Sequence, residues 1–159
     1  MARTLEVIGE RWTLLIVRDA FYGVRRFGDF VSHLDIPRAV LTERLKSLTE
    51  NDVLQRVPGS GRRMEYELTA KGIALWPTVR SMLTWGSEYY APNGPLRIFR
   101  HAADDGELDP IGRCLVCGQL VGVEDTLVTP GPGLPKRGAR DPVTEALSEP
   151  HRMLAPLRS

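Results

Sequence analysis

Cysteine is scarce in this chain, with two among 159 residues, too few for a disulfide scaffold. That leaves a reducing, cytoplasmic setting as the expectation. Long hydrophobic stretches are also missing. The longest aliphatic run spans residues 14–17, far short of the roughly 20 residues a spanning helix requires. No cationic stretch followed by an apolar one lies near Met1, so neither a secretory leader nor a membrane role is expected. An excess of one charge is absent too: 21 Lys and Arg face 20 Asp and Glu, a net charge of +1. A protein holding nucleic acid by bulk charge alone would be strongly basic, so any such binding must rest on where individual arginines stand. With 42% hydrophobic and 26% charged residues, full disorder is excluded.

The chain divides at Ala91-Pro92-Asn93-Gly94-Pro95, a string that continues neither a helix nor a central strand. Helical periodicity dominates before it. Trp12, Leu15, Ile16, Asp19 and Ala20 fall on one helix face, Leu14, Val17 and Phe21 add a second stripe, and Gly23 ends the helix. Phe27, Phe30, Val31 and Leu34 mark a further short helix. After the turn Asp35-Ile36-Pro37, another helix is predicted over 37–50, Pro37 taking its first position. Leu41, Leu45 and Leu48 face inward there, which leaves Arg38, Ala39, Thr42, Glu43 and Lys46 outward.

Two helices joined by a tight turn make a helix-turn-helix candidate. Strand-like Val53, Leu54 and Val57 follow, then the turn Pro58-Gly59-Ser60-Gly61, then Met64, Tyr66 and Leu68 alternating with Arg63, Glu65 and Glu67. This hairpin completes a winged-helix arrangement, with Arg62 and Arg63 at its tip. Thr69 is the expected cap of a closing helix in which Leu75, Val79, Met82, Leu83 and Gly86 share a face, kinked by Pro77. The predicted fold class is therefore mainly α with a β wing, over residues 1–90. A small β-rich extension follows over 91–129, then a loosely packed Pro/Gly-rich tail over 130–159.

Several strings within this order resemble the HxlR family of bacterial winged helix-turn-helix transcription regulators. They are Ile8-Gly9-Glu10-Arg11-Trp12-Thr13-Leu14-Leu15-Ile16, Arg25-Arg26-Phe27, Leu41-Thr42-Glu43-Arg44-Leu45-Lys46-Ser47-Leu48, Glu65-Tyr66-Glu67-Leu68-Thr69-Ala70-Lys71-Gly72 and Trp85-Gly86. The resemblance implies a homodimer that binds double-stranded DNA, with its recognition helix at 37–50 and its wing at 58–63. The first helix and the long closing helix would form the dimer contact. A recognition helix sets its N-terminal residues against base edges. Arg38 and Thr42 are thus the candidate base readers, flanked by Pro37 and Ala39, and Lys46 reaches phosphate. Arg62 and Arg63 would meet the backbone or minor groove, and Arg25 and Arg26 would anchor phosphate. Members that sense oxidants use a cysteine near the N-terminus; none occurs here before Cys114, so thiol sensing in that manner is not expected.

Beyond the break, Arg113-Cys114-Leu115-Val116-Cys117-Gly118 forms a CxxCG knuckle, a turn that converges two thiolates on one point. A closed zinc site takes four ligands. His101 stands upstream, with Asp104 or Asp105 as a fourth partner. A metal-free knuckle that requires no cofactor is expected, and zinc on Cys114, Cys117 and His101 stays open as the alternative. A thiol redox enzyme is the rival reading, weakened because a redox CxxC opens a helix whereas these flanks suggest a hairpin. A winged helix serving only protein–protein contact is a further alternative. No phosphate loop and no hydrolase motif is present, so an enzyme is not expected. The effector is not legible.

Overall fold

Four helices open the chain in the computed structural model, which describes residues 1–59, 63–135 and 141–157. They are α1 (Ala2–Ile8), α2 (Arg11–Phe21), α3 (Phe27–Leu34) and α4 (Arg38–Glu50). The apolar spacing read in the sequence is what places them. Ile16, Val17 and Phe21 of α2, Phe30 of α3, and Leu41, Leu45 and Leu48 of α4 are fully buried against one another. Burying an aliphatic or aromatic side chain of this size contributes about 1.5–3 kcal/mol, so this cluster is what fixes α4 on α2. Between α3 and α4, Asp35 adopts a left-handed conformation (φ 50), which a short polar side chain tolerates. Pro37 lies one residue earlier than the sequence suggests. It is the N-cap, with an extended ψ of 131, and not the first helical residue.

Strands β1 (Leu54–Pro58) and β2 (Met64–Leu68) pair antiparallel, Leu54 opposite Leu68 and Pro58 opposite Met64. Thr69 caps α5 (Ala70–Ile73) as its position predicts, its hydroxyl oxygen accepting from the Gly72 N–H. The single kinked helix expected after it does not form. The chain breaks after α5 and restarts as α6 (Trp76–Tyr90), with Pro77 in the first turn. No intrahelical partner is required of the N–H there, so the proline starts a helix and kinks none. The inward stripe moves accordingly: Trp76, Val79 and Arg80 are buried, Leu83 is half-buried and Met82 is exposed.

The second half builds β3 (Arg97–His101), a 3-10 turn (Val123–Asp125), β4 (Thr126–Pro130), α7 (Pro142–Ala146) and β5 (His151–Arg152). The three strands form one antiparallel sheet in the order β3-β4-β5. Trp76 ties this sheet to the winged helix, its ring 5.0 Å from Phe21 and 5.4 Å from Phe99. The segment read as a loose tail is in fact part of the core. Val143, Leu147, Met153 and Leu157 are buried, and α7 packs on α3. The backbone seals it: Leu154 N–H donates to the Phe21 carbonyl and Leu157 N–H to that of Gly23, both at 2.9 Å. Gly23 (φ +87) allows this approach, since a Cβ there would fall 1.8 Å from the Ala155 oxygen. Sparse but large apolar residues outweigh the prolines and glycines that made the segment look loose.

Candidate nucleic-acid interface

Helix α4 packs on β1 while presenting Pro37, Arg38, Ala39, Thr42 and Lys46 to solvent. Its N-cap, Pro37, supplies no side-chain hydrogen bond to the helix. The N–H groups of its first turn thus keep their capacity to bind an acceptor. Arg38 stands 5.8 Å over the Phe27 ring, an arrangement that orients its guanidinium from the neighbouring helix. The Thr42 hydroxyl donates to the Arg38 carbonyl at 2.9 Å, which commits its proton and leaves its oxygen able to accept. Lys46 lies 3.7 Å from Glu50, and both side chains are more than half exposed. Such a pair is worth at most about 1 kcal/mol, so it yields readily to a phosphate.

The hairpin is closed by the Gly59 N–H donating to the Arg63 carbonyl at 2.9 Å, and the Arg63 side chain is exposed. Arg62, also expected at the tip, lies outside the described residues, as do Ser60 and Gly61. Arg25 and Arg26 sit at the base of the wing. Arg25 pairs with Glu67 at 3.0 Å and Arg26 with Glu65 at 3.2 Å. These pairs half-bury the two glutamates and blur the alternation expected of β2. The Tyr66 N–H also donates to the Arg25 carbonyl. Both arginines therefore couple the start of α3 to the wing, a role sequence spacing did not show. Arg56, exposed on β1 opposite Tyr66, is a further cation that the sequence reading passed over. No alternation announced it, since β1 exposes both Gln55 and Arg56.

Helix α2 contributes a second feature missed in the sequence. Asp19, assigned there to an apolar face, is fully buried and takes Arg18 at 2.7 Å and His33 at 2.7 Å. Two partners offset the cost of a buried carboxylate. A cleft of about 880 Å³ opens beside this group, with Arg80 and Arg97 on its walls. Burial lowers the pKa of both arginines.

Cys114 and Cys117 lie in a turn, closed by the Gly118 N–H to the Cys114 carbonyl at 2.9 Å and the Cys114 N–H to that of Gln119 at 2.8 Å. No helix follows. The Gln119 N–H pulls the Cys117 pKa down, but desolvation and the adjacent Asp104 and Cys114 outweigh it, so the thiol is held above its ordinary value. A reactive redox thiol needs the opposite shift. His101 and Asp104 face the two sulfurs, whereas Asp105 turns away to Arg100. The Gly106 N–H is the main cause that holds the Asp104 carboxyl down at about 2. Among the described residues no helix is long and apolar enough to cross a membrane.

The family described as HxlR-like helix-turn-helix matches residues 7–94. An uncharacterized HTH-type transcriptional regulator of Mycobacterium tuberculosis strain H37Rv, Rv3095, is 43% identical over 136 residues, covering 84% of this chain and 86% of that protein. The crystal structure of PA1607, provisionally assigned as a transcription factor, superposes with a TM-score of 0.63 at 37% identity, over 88% of this chain and 93% of that one. The redox regulator HypR in its oxidized form gives a TM-score of 0.52 at 30% identity, over 55% of this chain and 93% of its own. Both cysteines of this chain lie beyond residues 7–94. With more than half its length matched and a relative aligned along most of both sequences, the chain belongs to the HxlR-like helix-turn-helix family of transcriptional regulators.

Proposed function

We propose that this transcriptional regulator acts as a homodimer that reads a specific DNA sequence, with α4 in the major groove and the β1–β2 wing on the adjacent backbone or minor groove. The observation that carries the reading is the face of α4. Its inner stripe is sealed by Leu41, Leu45 and Leu48 while Arg38, Ala39, Thr42 and Lys46 stand in solvent behind Pro37, an N-cap that gives the helix no side-chain hydrogen bond. In the docking mode of this motif, those N-terminal positions meet base edges. Arg63 and Arg56 give the wing the charge that phosphate requires. Dimerisation is favoured by the outer faces of α1 and α6. Leu5, Met82, Trp85, Tyr89 and Tyr90 are all more than half exposed there, and the Trp85 ring lies 5.6 Å from Tyr89 and 5.2 Å from Tyr90. Aromatic groups clustered in solvent mark an interface.

Fluorescence anisotropy with duplexes from upstream of the chain's own gene tests the DNA reading. Specific sites should bind at least about 10³-fold more tightly than scrambled sequence; equal binding across several fragments rejects it. Sedimentation velocity tests the assembly: the chain should run as a dimer and Trp85→Glu as a folded monomer. A wild-type monomer at high concentration removes the dimer.

A further inference from the structure

We propose that His101, Asp104, Cys114 and Cys117 form a tetrahedral zinc site, because two facing turns bring one ligand atom from each within 4.8 Å of all the others. The two turns carry their ligands in the same i, i+3 spacing. In the first, the His101 N–H donates to the Gly106 carbonyl and the Asp105 N–H to that of His101, so that His101 and Asp104 point to one side. In the second, the turn at Cys114–Gly118 does the same for the thiols, Gly118 taking the left-handed φ of +73 that the knuckle requires. His101 presents Nδ1, which is 3.1 Å from the Asp104 oxygen and 3.5 Å from the Cys117 sulfur. The Cys114 sulfur lies 3.2 Å from that same oxygen. These are the separations of atoms sharing a small ion.

The surroundings fit a metal better than a bare polar cluster. A Cβ on Gly106 would fall 2.3 Å from the Cys114 sulfur, so the first turn is glycine where the second needs the space. The Val116 N–H points at that sulfur from 3.4 Å and the Gly106 N–H donates to Asp104 at 3.0 Å. Backbone donors of this kind support a thiolate and a carboxylate that are already coordinated. Two sulfurs exclude the hard cations calcium and magnesium, and a set of four ligands mixing sulfur, nitrogen and oxygen suits zinc.

There is also something for a metal to hold. The segment between β3 and β4 runs from residue 102 to residue 125 with only isolated bridges and one 3-10 turn. Leu108, Val121 and Val123 anchor it in the core, but Ile111, Leu115, Val116 and Leu120 around the knuckle are all about 70% exposed, so apolar burial contributes little to the order of the two facing turns themselves. The segment docks on α6, where Arg80 donates to the Leu108 and Asp109 carbonyls. On binding, the two thiols release their protons to solvent and the ion joins both turns.

The test uses the full chain, stripped with a chelator and titrated with Zn²⁺ and, separately, Co²⁺. One equivalent of either should bind per chain and raise the melting temperature. Cobalt should show the thiolate-to-metal charge-transfer band and the intense visible absorption of a tetrahedral ion. Cys117→Ser should weaken cobalt binding by at least about tenfold, since changes behind the ligands alone cost 10–100-fold. Asp104→Cys should keep the stoichiometry, tighten binding and strengthen the charge-transfer band. Asp105→Asn should leave all of these as in wild type. Less than one equivalent, a weak octahedral cobalt spectrum, or unchanged binding in Cys117→Ser would each overturn the site. This outcome is independent of whether the chain binds DNA.

Discussion

Lys46 offers the cleanest test of how α4 meets DNA. Its side chain is 73% exposed and its ion-pair partner, Glu50, is 63% exposed at 3.7 Å. Exchanging Glu50 for a phosphate therefore costs well under about 1 kcal/mol. Each phosphate contact contributes a slope of about −0.9 to log K against log salt. Removing one with Lys46→Ala should then lower affinity about eightfold at 0.1 M salt, or ~1.2 kcal/mol. The gap between wild type and variant should narrow about 3.5-fold between 50 and 200 mM salt, and it should be the same on specific and scrambled duplexes. Anisotropy titrations at four salt concentrations on both duplexes measure all of this. A gap that stays constant with salt would refute the assignment, because Lys46 would then act through packing or a base contact. A loss confined to the specific duplex would refute it as well.

Three other outcomes follow from the same structure. Arg38→Ala should cost about 1–3 kcal/mol on the preferred site and relax the choice of one base pair, as judged by binding to a panel of single-substitution duplexes; an intact preference removes Arg38 as a reader. Leu147→Ala should lower unfolding free energy in urea by about 2–5 kcal/mol, because Leu147 is 1% exposed where α7 meets α3, and a loss below about 0.5 kcal/mol would show that the C-terminal segment is not core. Asp141 caps α7 by accepting from the Val143 and Thr144 N–H groups, both at 3.0 Å. Burial alone would raise its pKa, but the Thr144 hydroxyl and N–H, His33 and the Val143 N–H outweigh it and lower it. Its contribution is therefore complete above the ordinary carboxylate pKa and fades as pH falls through the lower folded value. Asp141→Ala should cost about 0.5–2 kcal/mol at neutral pH and flatten that acid loss, whereas an acid limb identical to wild type would place the effect elsewhere.

The winged helix was legible because its signals are local. Leu41, Leu45 and Leu48 recur at helical spacing, Thr69 stands where a helix must begin, and Cys114 to Gly118 spells a turn whichever neighbours it has. Each of these follows from backbone geometry within a few residues, which any sequence displays. Where the reading failed, the deciding contact came from far along the chain. Pro77 looked like a kink because nothing nearby showed that α5 would stop at Ile73. Nor did spacing show that Arg25 and Arg26 pair with Glu67 and Glu65, which reach them only once the wing folds back. Asp104 was separated from Asp105 only by the turn that aims one at the thiols and the other at Arg100.

The C-terminal segment shows the division most plainly. Its prolines and glycines oppose a long helix or strand through local sterics, and α7 and β5 are short. Whether it would pack was a different question. Val143, Leu147, Met153 and Leu157 are too widely spaced to form a periodic stripe, yet α3, Gly23 and β4 together offer a surface that buries all four. Hydrophobic burial depends on the area covered and not on separation along the chain. Periodicity therefore fixed the elements, and only the tertiary arrangement decided what they enclose.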